Sequence, residues 1–165
     1  MTKEEVINYV KCLGGIETKD GWNVPQGVDL FGQLSVEIPI KFNIVNGNFS
    51  CSSNQLTSLN NCPKEVYGDF YCSNNKLTSL KYCPKKVRFH FECFNNNLSS
   101  LKYCPKEING DFYCYGNKLT SFKCFPKKFK GAFWCNKGKF EGREYYKFLF
   151  DEKLIKKEEY LLRIV

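Results

Sequence analysis

The feature that most constrains this chain is a 21-residue repeat, which runs without an insertion from residue 49 to residue 140. Aligned at that period, the sequence falls into columns of identical or similar residues. The first two columns are Phe49, Phe70, Phe91, Phe112 and Phe133, and, two residues later, Cys51, Cys72, Cys93, Cys114 and Cys135. One such unit cannot bury its own apolar residues, but stacked units bury them together. The period therefore predicts a solenoid.

Each repeat carries a pattern that predicts its path. Phenylalanine and cysteine at alternate positions are typical of a short strand that turns both side chains to one face. Asparagine then turns the chain, leucines and a second cysteine fill the interior, and proline favours an extended return. These later columns include Asn54, Asn75, Asn96 and Asn117; Leu56, Leu77 and Leu98; Cys62, Cys83 and Cys104; and Pro63, Pro84, Pro105 and Pro126. Stacked strands would form one parallel β-sheet with about 4.8 Å between neighbours.

The strand segment resembles the leucine-rich repeat. The signature of that family, apolar-x-apolar-x-x-Asn-x-Leu, is matched from Phe70 to Leu77. The continuation from Asn75 to Leu80 is similar to the short bacterial class found in pathogen effectors, and to repeats of phage proteins. The resemblance implies an α/β repeat solenoid, a leucine-rich-repeat-like right-handed coil with one parallel β-sheet, capped by N- and C-terminal α-helices.

The repeat also divides the chain into three parts. The solenoid is expected over 28–140, with an N-terminal helical cap at 1–27 and a C-terminal helical cap at 141–165. A capping box at Thr2 and Glu5 predicts a helix over 2–13, and apolar spacing predicts another over 141–163. No run of apolar residues is long enough to cross a membrane.

The chain has ten cysteines, and those in the repeat columns are interpreted as core residues. The chain begins without an apolar signal region, so we expect reduced thiols and a cytoplasmic location, which is the host cytoplasm if a phage encodes the protein. Metal ligation would need closely paired ligands, and His90 is the only histidine. No metal and no cofactor is therefore expected. Cys12 and Cys124 lie outside the repeat columns and are the candidates for exposed thiols.

Strand alternation sends a second set of side chains outward. The position between phenylalanine and cysteine holds Ser50, Tyr71, Glu92, Tyr113 and Trp134; the next outward position holds Ser52, Ser73, Phe94, Tyr115 and Asn136; the position before phenylalanine includes Asp69, His90 and Asp111. Exposed aromatic clusters are typical of binding surfaces. The predicted partner-binding residues are Tyr71, Glu92, Phe94, Tyr113, Tyr115, Trp134, Asp69 and Asp111. Alternatively, the stacked rings only stabilise neighbouring strands.

A second predicted surface is a basic ridge. Residues 48–140 hold fifteen Lys or Arg against five Asp or Glu. The ridge comprises Lys64, Lys85, Lys86, Arg88, Lys106, Lys127, Lys128 and Lys130. It would either keep the protein in solution or bind an acidic partner such as nucleic acid. Arginine, the usual ligand for phosphate and guanine, is almost absent from it.

These features indicate a binding protein and no enzyme, because no nucleophile–histidine–acid set and no phosphate-binding glycine loop is present. We expect a monomer that binds another protein through the sheet face. By analogy with phage and effector repeats, that partner would be a host defence protein or nucleoprotein complex, and the role an inhibitor of the anti-CRISPR kind. Two alternatives stay open: a nucleic-acid-binding module that uses the basic ridge, and a structural or assembly role.

Overall fold

The computed structural model of the chain describes residues 1–122, 124, 126, 128–136, 138–140 and 142–152. They form a β-solenoid of about five turns with two short helices. In chain order the elements are α1 (Lys3–Cys12), β1 (Ile16–Thr18), β2 (Gly21–Val24), β3 (Val28–Asp29), β4 (Phe42–Val45), β5 (Phe49–Ser50), β6 (Glu65–Val66), β7 (Phe70–Tyr71), β8 (Lys86–Val87), β9 (Phe91–Glu92), β10 (Glu107–Ile108), β11 (Phe112–Tyr113), β12 (Lys128–Phe129), β13 (Phe133–Cys135), β14 (Gly138–Phe140) and α2 (Gly142–Asp151).

The strands form two sheets of seven, where the sequence predicted one parallel sheet. The front sheet has the order β14-β13-β11-β9-β7-β5-β3 and contains the Phe-x-Cys strands; the back sheet has the order β1-β2-β4-β6-β8-β10-β12. Neighbours are parallel except at β1–β2 and β13–β14. The prediction of a single sheet was wrong because the extended return after each proline also lies beside its equivalent one repeat away, as Val66 does beside Val87.

Residues 21 positions apart lie above one another, as the repeat predicts. Phe70 is in register with Phe49 on one side and with Phe91 on the other. Ring centroids along the phenylalanine column are separated by 5.9 Å at Phe49–Phe70, 5.6 Å at Phe70–Phe91, 5.4 Å at Phe91–Phe112 and 5.6 Å at Phe112–Phe133. All five rings are fully buried. The phenylalanine column is therefore the continuous centre of the hydrophobic core.

The asparagine column fastens each coil to the previous one. The side-chain amide of Asn75 donates to the carbonyl of Cys51 at 2.9 Å and to that of Cys72 at 3.2 Å. Its Oδ1 accepts the backbone N–H of Leu56 at 3.0 Å. Buried asparagines at three further coils repeat this arrangement: Asn54, Asn96 and Asn117. Backbone groups where the chain turns inside the solenoid thus find partners without water.

Each end of the solenoid carries a helix. Helix α1 begins at a capping box, with Thr2 Oγ1 accepting the Glu5 N–H at 3.3 Å, and it buries Val6 and Val10 in the core. The segment 1–27, predicted as a helical cap, also contains β1 and β2 of the back sheet. In α2 the ring of Phe148 lies 5.0 Å from that of Phe122. The rest of the predicted C-terminal helix, 153–163, lies outside the described residues.

Within the described part of the chain, no helix combines the length and the apolar character that crossing a bilayer requires.

Candidate functional site

The outer surface of the front sheet brings the predicted partner-binding residues together. We call this surface the front face and define it by three positions in each of six coils. The positions are Gly27, Asn48, Asp69, His90, Asp111 and Ala132; Asp29, Ser50, Tyr71, Glu92, Tyr113 and Trp134; and Phe31, Ser52, Ser73, Phe94, Tyr115 and Asn136. Tyr115 is 36% exposed, and Tyr71, Tyr113, Trp134 and Phe94 are partly exposed. The predicted aromatic residues therefore lie at the surface.

Two of the predicted outward side chains are buried instead. Ser52 is 6% exposed and Ser73 is 1% exposed. Both follow the end of a strand, where the chain bends and simple alternation no longer determines the direction of a side chain. Phe94 and Tyr115 occupy the same column and are nevertheless only partly buried.

The aromatic side chains of the front face form two stacked pairs. Tyr113 and Trp134 are in register on β11 and β13, with ring centroids 5.9 Å apart and planes 15° from parallel. Phe94 and Tyr115 stack at 4.8 Å and 9°. Ring pairs of this kind stabilise neighbouring strands and also hold each ring in one orientation. The front face thus presents aromatic surface that is already ordered.

Two aspartates hold the tyrosines in place. Asp69 Oδ2 accepts the hydroxyl hydrogen of Tyr71 at 2.7 Å, and Asp69 Oδ1 accepts the His90 backbone N–H at 2.8 Å. Two coils further on, Asp111 accepts hydrogen bonds from the Tyr113 hydroxyl at 2.9 Å and from the Ala132 N–H at 2.7 Å. Each aspartate therefore orients a ring and ties two coils together.

His90 and Asn48 continue this side-chain ladder. Asn48 Oδ1 accepts the Asp69 N–H at 2.9 Å, and His90 Nδ1 accepts the Asp111 N–H at 2.9 Å. Sequence reasoning found no partner for His90. The signal that could have found it is the recurrence of acceptor side chains at this position of the repeat.

Burial changes the titration of the front face. It raises the pKa of Tyr71 and raises the pKa of Tyr113 to about 12, and in both cases the hydrogen bond to the neighbouring aspartate adds to the effect. Both phenols are therefore neutral donors near neutral pH. Burial also raises the pKa of Glu92, whereas the nearby His90 lowers it. Glu92 lies in register between Tyr71 and Tyr113.

The basic ridge lies on the other side of the coil, along and beside the back sheet. Lys64, Lys85, Lys86, Arg88, Lys106 and Lys130 are exposed, Lys128 belongs to β12, and Lys127 lies outside the described residues. Lys64 contacts Asp20 at 3.3 Å and Lys86 contacts Glu65 at 3.6 Å. Along the back sheet, acidic and basic residues alternate, because Glu65 pairs with Lys86 and Glu107 with Lys128. The ridge is thus less uniformly positive than the sequence suggested.

Two exposed tyrosines beside the ridge were missed by sequence reasoning. Tyr82 is 53% exposed and Tyr103 is 52% exposed, and each has a positive φ, of 72° and 75°. The ammonium group of Lys81 lies 4.8 Å from the ring centroid of Tyr82, and that of Lys102 lies 5.1 Å from that of Tyr103. Asn61 occupies the same position one coil earlier. The position before the Cys-Pro pair changes from asparagine at residue 61 to tyrosine at residues 82 and 103, and this change was the available signal.

The cysteines belong to the core rather than to a site. Eight of the ten are buried or half-buried, and Cys12 and Cys124 are exposed, as predicted. Burial raises the pKa of the Cys72 and Cys93 thiols well above the ordinary value, so they stay protonated. Among the described residues, no three His, Cys, Asp or Glu side chains are grouped so that they could hold a metal ion.

Comparisons with protein-family models, with curated proteins and with solved structures give no match to this chain.

Proposed function

We propose that this protein is a non-enzymatic binding module that holds a partner protein with the front face. The observation that carries the proposal is the pair of ring stacks, Tyr113–Trp134 and Phe94–Tyr115, on the open side of a sheet. Tyrosine and tryptophan are the residues that most often dominate the free energy of protein–protein binding. A cluster of exposed aromatic side chains is also typical of a surface that another protein covers.

The rigidity of the front face supports the same proposal. The Tyr71 and Tyr113 hydroxyls are held by aspartates, and those aspartates also bond the next coil. Side chains that are already ordered lose little conformational entropy when a partner binds. When a partner binds such a face, the ordering of side chains offsets less of the favourable contact free energy than it does on a surface of mobile side chains.

We further propose that the solenoid is a right-handed, leucine-rich-repeat-like coil and that α1 and α2 act as its caps. Support comes from the matched Phe70–Leu77 signature and from the burial of Val6, Val10 and Phe148 at the two ends. By analogy with phage and effector repeats, the partner would be a host defence protein or a nucleoprotein complex, met in the cytoplasm.

A second candidate function is nucleic-acid binding through the basic ridge. The observation that favours it is the pairing of Lys81 with Tyr82 and of Lys102 with Tyr103, since a base stacks on an exposed ring while a lysine meets phosphate. This candidate requires affinity for DNA or RNA that falls steeply with salt. Absence of binding at low salt in a gel-shift assay would remove it.

Site-specific photo-cross-linking tests the two candidates against each other. A benzophenone amino acid would replace Tyr115 on the front face and, as the matched control, Lys85 on the ridge, in cells where the protein acts. We expect a discrete protein adduct from position 115, lost when Tyr113 and Trp134 are both changed to alanine. Adducts from position 85 alone, or adducts to nucleic acid, would contradict front-face binding.

A further inference from the structure

The front face differs from the rest of the molecule in its charge. The chain holds 25 Lys or Arg and has a net charge of +8, yet none of the eighteen front-face positions is Lys or Arg. Four of these positions are acidic: Asp29, Asp69, Glu92 and Asp111. Among the described residues, the front-face contact between an acidic and a basic side chain is that of Asp111 Oδ2 with His90 Nδ1, at 3.7 Å. The front face is therefore a negative area on a basic protein.

Glu92 is the acid at the centre of this area. It stands between Tyr71 and Tyr113 in adjacent strands, so the two rings flank it with about 10 Å between them. Neither tyrosine hydroxyl donates a hydrogen bond to Glu92, because the hydroxyls of Tyr71 and Tyr113 donate to Asp69 and Asp111. In the part of the chain that the structure describes, the Glu92 carboxylate has no hydrogen-bond or ion-pair partner.

A half-buried carboxylate without a partner is unfavourable for the fold, since its charge is partly removed from water. A cationic group placed above Glu92 would remove that penalty. It would form an ion pair with the carboxylate below and would contact the rings of Tyr71 and Tyr113 on either side. A guanidinium group fits such a site better than an ammonium group, because it is planar and stacks on aromatic rings.

A depression beside Tyr71 offers a place for a second side chain. It has a volume of about 330 Å³ and is lined by Asp29, Phe31, Ser50 and Tyr71, among others. An acid, Asp29, and two rings, those of Phe31 and Tyr71, thus border the depression. The arrangement is similar at Glu92, where an acid lies between two tyrosine rings. Basic side chains of one extended segment would reach both places along the same column of the front face.

We propose that the front face recognises a cationic segment of its partner, with an arginine side chain seated on Glu92 between Tyr71 and Tyr113. This inference rests on the proposed function, because it names the chemistry of the partner that the front face binds. The charges elsewhere on the protein repel such a segment, so it is attracted only where the face is acidic.

Calorimetric titration with unlabelled, end-blocked peptides tests this assignment. The probes are a short peptide of alternating arginine and serine, the lysine–serine peptide of equal length, and the glutamate–serine peptide. We expect the arginine peptide to bind, the lysine peptide to bind more weakly, and the acidic peptide not to bind to this face. Because the protein and the arginine probe are both positive, general electrostatic attraction predicts the opposite order. No binding of the arginine peptide at low salt overturns the inference.

Two glutamine variants locate the binding. Glu92→Gln keeps the shape of the side chain and should weaken arginine-peptide binding about tenfold. Glu65→Gln makes the same change of charge on the back sheet and should leave the affinity unchanged. Equal loss in both variants would mean a long-range effect of net charge and would overturn the inference. Tyr71→Leu, a second variant at the same site, should also weaken binding, whereas retained affinity in both front-face variants overturns the assignment.

The outcomes also separate this inference from the proposed function. A cross-linked protein partner that is lost with the Tyr113 and Trp134 changes but is indifferent to Glu92→Gln would leave the proposed function standing and remove the cationic segment. A cross-linked adduct that none of these three substitutions affects would remove both the proposed function and the cationic segment. Concentration-dependent self-association that Glu92→Gln abolishes, seen by analytical ultracentrifugation, would make the occupant a second copy of this chain and would likewise overturn the inference.

Discussion

Tyr113 donates its hydroxyl hydrogen to Asp111 Oδ2 at 2.9 Å, two residues away on the same strand. The other carboxylate oxygen of Asp111 accepts the Ala132 N–H of the next coil at 2.7 Å. One side chain therefore both positions an aromatic ring and joins two coils. The same arrangement recurs at Tyr71 and Asp69, so two tyrosine rings of the front face are held by hydrogen bonds to the coils that carry them.

Asp111→Ala should destabilise the protein by about 1–3 kcal/mol, because it leaves the Ala132 N–H and the Tyr113 hydroxyl without their partner. Asp111→Asn keeps an acceptor at the same place and should cost less. Urea unfolding measures both free energies. If Asp111→Ala lowers the free energy of unfolding no more than Asp111→Asn does, the structural role of the carboxylate is contradicted.

Asn75→Ala should be more damaging, with a loss of about 2–4 kcal/mol, because several buried backbone groups lose their hydrogen bonds together. Asn60→Ala, at an exposed position of the preceding repeat, is the matched control and should change the free energy of unfolding by less than about 0.5 kcal/mol. Equal effects of the two changes in urea unfolding would show that the asparagine ladder does not hold the coils.

The repeat predicted the stacking because a period that keeps phenylalanine above phenylalanine leaves no other arrangement for buried rings. It did not predict the second sheet, because pairs such as Glu65–Val66 are too short to show alternation. The outward aromatic residues were predicted by strand alternation, and the burial of Ser73 was not, since it depends on how the chain bends after the strand. The absence of Lys and Arg from the front face became visible only when the coils were in register.

The thiols should divide into two classes in their reaction with Ellman's reagent. Cys12 and Cys124 are exposed and should react in the native protein, and each should disappear from the fast phase when changed to serine. The remaining eight should react only on unfolding, because burial raises the pKa of thiols such as Cys93, and that of Cys104 to about 12. Fast reaction of more than two thiols near neutral pH would contradict the buried columns.

Tyr82→Asn should leave the protein equally stable or stabilise it by up to about 1 kcal/mol. The residue has a φ of 72°, which asparagine tolerates better than tyrosine, and Asn61 already occupies the equivalent position. Tyr103→Asn should behave in the same way. Urea unfolding measures both changes; a clear loss of stability would mean that the contact between Lys81 and the Tyr82 ring contributes more than the backbone conformation costs.

Glu92→Gln should stabilise the free protein at neutral pH, although it should weaken binding. Burial raises the folded-state pKa of Glu92 above the unfolded value, so the folded state binds the proton more tightly. This stabilising contribution is fully present below the ordinary glutamate pKa and is lost as the pH rises through the folded-state pKa. Glutamine does not titrate and removes this dependence of stability on pH. The free energy of unfolding of the variant should therefore exceed that of the wild type at about pH 7 and approach it near about pH 4.

The gain should be less than about 1 kcal/mol, because the side chain is only half-buried and solvent screens its charge. Parallel urea titrations of the wild type and the variant across this pH range measure it, and Glu65→Gln on the back sheet serves as the control. Asp69 and His90 face Glu92 in both proteins, so only the difference in stability between the wild type and the variant is compared. A glutamine variant less stable than the wild type at neutral pH would mean that the Glu92 carboxylate already has a favourable partner within the fold, which would leave no unmet charge for a cationic segment to satisfy.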